Sequence, residues 1–112
     1  DARVLVLGMA FKENCPDVRN TKVVDIVKEL ELFGMNVDVW DPLVDSGEAQ
    51  REYGITLVDE PEAGSYDTVV IAVAHRQFTE LGEAGIRSFG RSPSLVYDIK
   101  YVLSREASDE RL

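Results

Sequence analysis

The side chains best able to do chemistry in this chain gather where its apolar runs end. Lys12 and Arg19 lie in the polar stretch Met9–Arg19, which follows the run Val4-Leu5-Val6-Leu7. His75 follows a second run, and Asp98 and Lys100 close a third. A lysine on a loop at a strand's carboxyl end is a mobile point charge suited to a phosphate or sugar oxygen. The plain alternative is a lysine held only by solvent. Arg19 precedes a helix start, where the positive end of the dipole disfavours a cation unless an anion is near; an ion pair to Asp17 or Glu13 would also satisfy it. His75 either faces a ligand or is structural. Asp41, in Asp41-Pro42, stands where an acid can grip a ribose or simply shape a turn. Cys15, in Glu13-Asn14-Cys15-Pro16-Asp17, reads as structural, because an activated thiol needs a base or a depressed pKa. It is the single cysteine, so no internal disulfide forms and no ligand set for zinc is present.

Strands and helices in alternation must position these residues. Val4–Leu7 is apolar at every position, as in a parallel strand covered on both faces, and Gly8 ends it. Asn20 or Thr21 caps a helix over 21–33, in which Val23, Ile26, Val27, Leu30 and Phe33 form one apolar stripe for the core. Gly34 stops it. Asn36–Trp40 reads as a second strand, closed at Asp41-Pro42 because proline supplies no ladder donor. A short charged helix over 46–53 ends at Gly54, Ile55–Val58 reads as a third strand, and 59–65 is a turn region. Asp67–Ala74 is β-branched and continuous, hence central and parallel. Residues 78–89 are weakly helical and broken by Gly82 and Gly85; 90–93 is a turn, Leu95–Asp98 is the last strand, and the tail from Ser104 is polar. The pattern predicts one α/β domain, a Rossmann-like, doubly wound, mostly parallel sheet of about five strands with right-handed crossovers. In such sheets anions bind where a strand runs into a helix N-terminus. The site is therefore expected at the loop 9–19.

At 112 residues the chain holds one core and is too short for two domains. Its 45% hydrophobic content is enough to fold, and its net charge of −9 opposes nucleic acid and anionic membrane surfaces as partners. A local cluster of Lys and Arg can still hold a phosphate. No apolar run approaches the ~20 residues of a membrane span, and no signal peptide is read. With one cysteine, the expected setting is a reducing cytoplasm. Asp1-Ala2-Arg3 leads straight into a buried strand without an initiating Met. The expectation is a piece of a longer polypeptide, with Ser108–Leu112 as its polar terminus.

The opening strand, loop and helix lack the fingerprint of a dinucleotide site. G-x-G-x-x-G is needed after the first strand; here Ala10 and Glu13 follow Gly8 at the other glycine positions. Their side chains keep the backbone away from a pyrophosphate. The stretch resembles instead the opening of the C-terminal domain of the UDP-glucose/GDP-mannose dehydrogenase family. Gly8-Met9-Ala10-Phe11-Lys12 and Pro16-Asp17-Val18-Arg19-Asn20-Thr21 carry the likeness. It continues through Val39-Trp40-Asp41-Pro42, Ala72-Val73-Ala74-His75 and Tyr97-Asp98-Ile99-Lys100, and so covers nearly the whole chain. It is most similar to the branch acting on UDP-N-acetylhexosamines in surface-polysaccharide synthesis.

The resemblance implies an enzyme that oxidises C6 of a nucleotide sugar to a carboxylate with NAD. It implies that an N-terminal domain holds most of the NAD, that a cysteine upstream of this domain is the nucleophile, and that this domain binds the UDP part of the substrate. It assigns Lys12 to the nucleotide sugar and Arg19 to the NAD phosphates across the domain interface. Phe11 packs against the nucleotide or anchors the loop. Lys100 stands where the family often has Arg in a D-x-R segment contacting the nucleotide, which puts a bidentate contact in doubt. No catalytic residue and no metal site fall in this chain. The implied partners are the UDP-sugar and the N-terminal and central regions of the same enzyme, commonly in dimers or larger assemblies. A rival from another class is a receiver-like signalling domain phosphorylated on Asp41, with Lys100 after the last strand. Its Mg²⁺ site needs an acidic pair where Gly8-Met9 stands. A purely structural dimerisation module is the third option.

Overall fold

An apolar run with no polar face must be covered twice, and this fold covers it twice. The computed structural model describes residues 2–19, 21–98 and 110–111. Along the chain come β1 (Arg3–Leu7), α1 (Val23–Leu32), β2 (Asn36–Trp40), α2 (Ser46–Tyr53), β3 (Tyr66–Ile71), α3 (Arg76–Arg87), β4 (Gly90–Asp98) and β5 (Glu110–Arg111). The strands form one sheet in the order β2-β1-β3-β4-β5, and its ladders are parallel. Side chains of β1 alternate between two cores. Val4 and Val6 pack with Val23 and Val27 of α1 and Ala49 of α2. Leu5 and Leu7 pack on the other face with Phe78 and Ile86 of α3. Each such side chain taken from water contributes roughly 1.5–3 kcal/mol, so the run that serves both cores belongs at the centre. Trp40 flanks the second core, its ring centred 5.6 Å from Phe78 and 6.0 Å from Phe89. A radius of gyration of 12.8 Å fits one domain of this length.

The doubly wound sheet matches the sequence expectation, but several elements differ in detail. α1 lies inside the expected 21–33. Thr21 does cap it, its Oγ1 accepting from the Val23 N–H at 3.1 Å; Asn20 lies outside the described residues. Phe33 is not core: it is the residue after the helix and is 73% exposed. The chain turns there before the stripe returns to the sheet. Ile55–Val58 is not a strand. Leu57 makes an isolated bridge to Val39, with the Val58 N–H donating to the Val39 carbonyl at 2.9 Å. Val39 belongs to β2, the edge strand, and the segment meets it at this one position before the bends at Asp59 and Glu60.

The fifth strand is β5, in the polar tail, pairing Tyr97 with Glu110 and Asp98 with Arg111. The expected turn at 90–93 belongs to β4, although the register jumps from Tyr66↔Gly90 to Thr68↔Leu95, so 91–94 bulge away from the ladder. Pro93 has no N–H to give it. Regular pairing resumes at Leu95, where the last strand was expected. α3 spans the region read as weakly helical and is kinked at Gly82, whose φ of 66° and ψ of −176° are not helical.

The amino-end rim of the sheet is tied by its own charges. Tyr66 donates to Asp38 (2.7 Å), Arg3 pairs with Asp38 (3.2 Å) and lies over the Tyr66 ring, and the Arg3 N–H donates to Asp67 (2.8 Å). Burial and the hydrogen bond to Asp38 push the Tyr66 phenol up to about 12. These groups satisfy one another and leave little for a ligand.

Candidate functional site

The sheet order reverses between β1 and β3, because β1 leads leftward to β2 while β3 lies on its right. The helices that follow those two strands pack on opposite faces, α1 in one core and α3 in the other. A crevice must therefore open above the carboxyl ends of β1 and β3. It does: a groove of ≈ 410 Å³ is lined by Ala10, Phe11, Lys12 and Glu13 after β1, by Lys22, Val23 and Ile26 at the start of α1, and by Ala72, Val73 and Ala74 after β3.

Lys12 is exposed on this groove and has no carboxylate partner among the described residues. Phe11 beside it is 52% exposed, so its ring is not a buried anchor for the loop and lies free to stack. Lys22 is the residue that sequence reasoning missed. It occupies the N-cap position of α1 and lines the groove with Lys12. A cation there opposes the helix dipole. That same signal was applied to Arg19 and holds more strongly for Lys22. The two lysines and the helix end outnumber the single carboxylate on this groove, Glu13, in a chain of net charge −9.

Arg19 lies elsewhere. It lines a separate groove with Cys15, Pro16, Asp17, Leu43, Asp45 and Glu48. Its guanidinium grips Asp17 (2.9 and 3.1 Å), the local outlet weighed for it in the sequence. That grip lowers the Asp17 carboxyl below its ordinary value. Lys100 lies outside the described residues. Cys15 is a free thiol on the Arg19 groove, and the histidine is already engaged with other groups.

Asp41 and His75 are buried, at 4% and 0% exposure. Asp41 Oδ2 accepts from the Met9 and Ala10 N–H groups (2.8 and 3.0 Å) and meets His75 Nε2 at 2.8 Å; Oδ1 accepts from the Leu43 N–H at 2.9 Å. The turn role through Leu43 holds, and the carboxylate does more besides. Burial pushes this carboxyl up, but the bonds from His75, Met9 and Leu43 outweigh it and hold it below the ordinary 3.8. A carboxylate so enclosed can neither grip a ribose nor take a phosphoryl group. The receiver-like alternative fails on this point. His75 serves the interior: its Nδ1 accepts from the Asn14 N–H at 2.8 Å, which places the ring proton on Nε2, facing Asp41.

Gly8 ends β1 at φ +105°, and a Cβ there would stand 2.6 Å from the Val73 Cβ. Its missing side chain is thus used for packing against the end of β3. It is not free to admit a pyrophosphate, and with Ala10 and Glu13 nearby the groove lacks the glycine cradle of a dinucleotide site.

Comparison with known proteins gives the family. Two curated relatives are each a UDP-N-acetyl-D-glucosamine 6-dehydrogenase. That of Salmonella typhi is 51% identical over 97% of this chain, and that of Pseudomonas aeruginosa 52% identical over 99%. The chain spans 26% of each, about a quarter of their length. The solved UDP-glucose dehydrogenase of the archaeon Pyrobaculum islandicum superposes with a TM-score of 0.75 at 29% identity, covering 98% of this chain and 24% of that one. Residues 5–105 match the family described as "UDP-glucose/GDP-mannose dehydrogenase family, UDP binding domain", and the chain belongs to that family, as its UDP-binding domain.

Proposed function

We propose that this chain is the nucleotide-holding part of an NAD-dependent UDP-N-acetylhexosamine 6-dehydrogenase of surface-polysaccharide synthesis, working in the cytoplasm. The observation that carries this is that Lys12, on the loop after β1, and Lys22, at the start of α1, line one groove in the crevice where the sheet order reverses. A diphosphate there meets two ammonium groups and a helix N-terminus, while Phe11 offers a face for stacking. Its share in the reaction is positioning: with the UDP held, C6 of the sugar is presented to groups supplied from outside this chain. NAD takes the hydride in such a reaction, but the residues here do not fit it. Gly8 is filled by Val73, and the glycine cradle is missing. We assign NAD mainly to the rest of a longer enzyme, which also brings the nucleophilic cysteine and the contacts for a dimer or larger assembly. Arg19 would turn to the NAD phosphates only by exchanging Asp17 for them, and Lys100 stays assigned to the nucleotide by the family resemblance alone.

Titration calorimetry with UDP tests the proposal. The chain should bind UDP, and Lys12→Ala should bind about tenfold more weakly, the loss of one charge-assisted contact of about 1.4 kcal/mol. With UDP-N-acetylglucosamine and NAD it should form no NADH. No heat at millimolar UDP removes the nucleotide site; turnover removes the division of labour.

A further inference from the structure

The loop that carries Phe11 and Lys12 is held at both feet by two buried residues that do not line the groove. At its first foot the Met9 and Ala10 N–H groups donate to Asp41 Oδ2. At its second foot the Asn14 N–H donates to His75 Nδ1. His75 Nε2 then meets that same Asp41 oxygen at 2.8 Å, so the two anchors are one unit. Asn14 adds a second tie: its Oδ1 accepts from the Arg76 N–H at 2.7 Å, and its backbone sits in the left-handed region at φ 56°. The anchors come from different strands, Asp41 from just beyond β2 and His75 from beyond β3. Between the feet, the side chains of Phe11 and Lys12 stand exposed over the groove.

Resting on the UDP reading above, we propose that Asp41, His75 and Asn14 form a clamp of positioning residues, which fixes the span of the loop and so holds Lys12 over the start of α1. None of the three touches the ligand. Both ring nitrogens of His75 are needed, one as acceptor for Asn14 and one as donor to Asp41. Substituting Gln for His75 keeps a donor toward Asp41 and leaves the Asn14 N–H without its acceptor. Asn14→Ala drops the bond to Arg76 and leaves at φ 56° a residue that tolerates the left-handed region less well than Asn. Asn14→Asp keeps both the acceptor and the tolerance for that conformation.

The experiment measures UDP affinity by calorimetry and the backbone order of residues 9–14 by ¹⁵N relaxation, on the wild type, Asn14→Ala, Asn14→Asp, His75→Gln and the Ala/Gln double variant. Asn14→Ala should weaken UDP by about fivefold, the scale of one hydrogen bond, and should loosen Phe11 to Glu13. Asn14→Asp should restore both. The double variant should lose little more than the worse single variant, because both changes open the same clamp. A loop equally ordered in Asn14→Ala, or losses that multiply in the double variant, overturns the clamp whatever the ligand result. A wild type that binds no UDP removes the ligand reading instead, and with it the purpose of the clamp.

Discussion

Lys22 spends helix stability where a ligand can return it. A cation at a helix N-terminus costs roughly 0.3–1 kcal/mol near the surface, and at the N-cap of α1 no side chain satisfies the free N–H groups from that residue. Lys22→Ala should therefore raise the unfolding free energy by a few tenths of a kcal/mol while weakening UDP several-fold. Denaturant melts and UDP titration of the same variant check this; a loss of stability would show that Lys22 holds the fold and not the ligand. Asp41 has the opposite character. Its carboxyl is held below 3.8 in the folded chain, so its contribution is complete above that value and fades as pH falls from it toward the lower folded value. Asp41→Asn should destabilise by about 2–4 kcal/mol near neutral pH, because an amide cannot accept all the bonds the carboxylate accepts. The gap between variant and wild type should narrow on going from about pH 5 to about pH 3. A gap constant over that range would mean that the shift is not coupled to folding.

At the scale of elements, Gly8 joins β1 to β3. Gly8→Ala meets both a positive φ and a Val73 side chain at 2.6 Å, neither of which backbone adjustment relieves cheaply. A loss of roughly 2–4 kcal/mol is expected, read by chemical denaturation, with UDP binding weakened only as far as the groove floor moves. A near-neutral Ala would place the strain elsewhere. The elements themselves were unevenly legible in the sequence. β1 and β3 stood out by the apolar runs Val4–Leu7 and Val69–Ile71, as strands covered on both faces require. α1 stood out by its stripe, except for Phe33, where the helix ends and periodicity no longer dictates burial. The edges were read poorly: the segment around Leu57 has strand composition but makes a single bridge, and β5 is two polar residues whose pairing depends on β4 being beside them. The place of Lys12 on the groove was legible because it follows the first strand on a polar loop. The clamp behind it was not, since Asp41 meets Ala10 across 31 positions and His75 meets Asn14 across 61. No local pattern records contacts that only the sheet order creates.

For the molecule as a whole, the two rims of the sheet have been given different work. At the amino-end rim, Arg3 pairs with Asp38 and Arg91 with Asp67, while Tyr66 donates to Asp38 and its phenol is pushed up to about 12 by burial and that bond. At the carboxyl-end rim, Lys12 and Lys22 stand beside a groove with no acid paired to Lys12 among the described residues. In a chain of net charge −9, a diphosphate is repelled by most of the surface. At physiological salt, however, fields from charges more than about 8 Å away are largely screened, so the local lysines decide where it settles. Amide shifts on titrating UDP should therefore concentrate at Ala10–Glu13, Lys22–Val23 and Ala72–Ala74, and should be near zero at Arg3, Asp38 and Tyr66. Lowering the salt should weaken binding less than the global charge alone would dictate, because attraction to the lysine pair grows together with repulsion from the body. Shifts centred on the Cys15–Arg19 groove would move the nucleotide to the far side of the loop. The two lysines would then be left as solvated surface charges, and the crevice between β1 and β3 without an occupant.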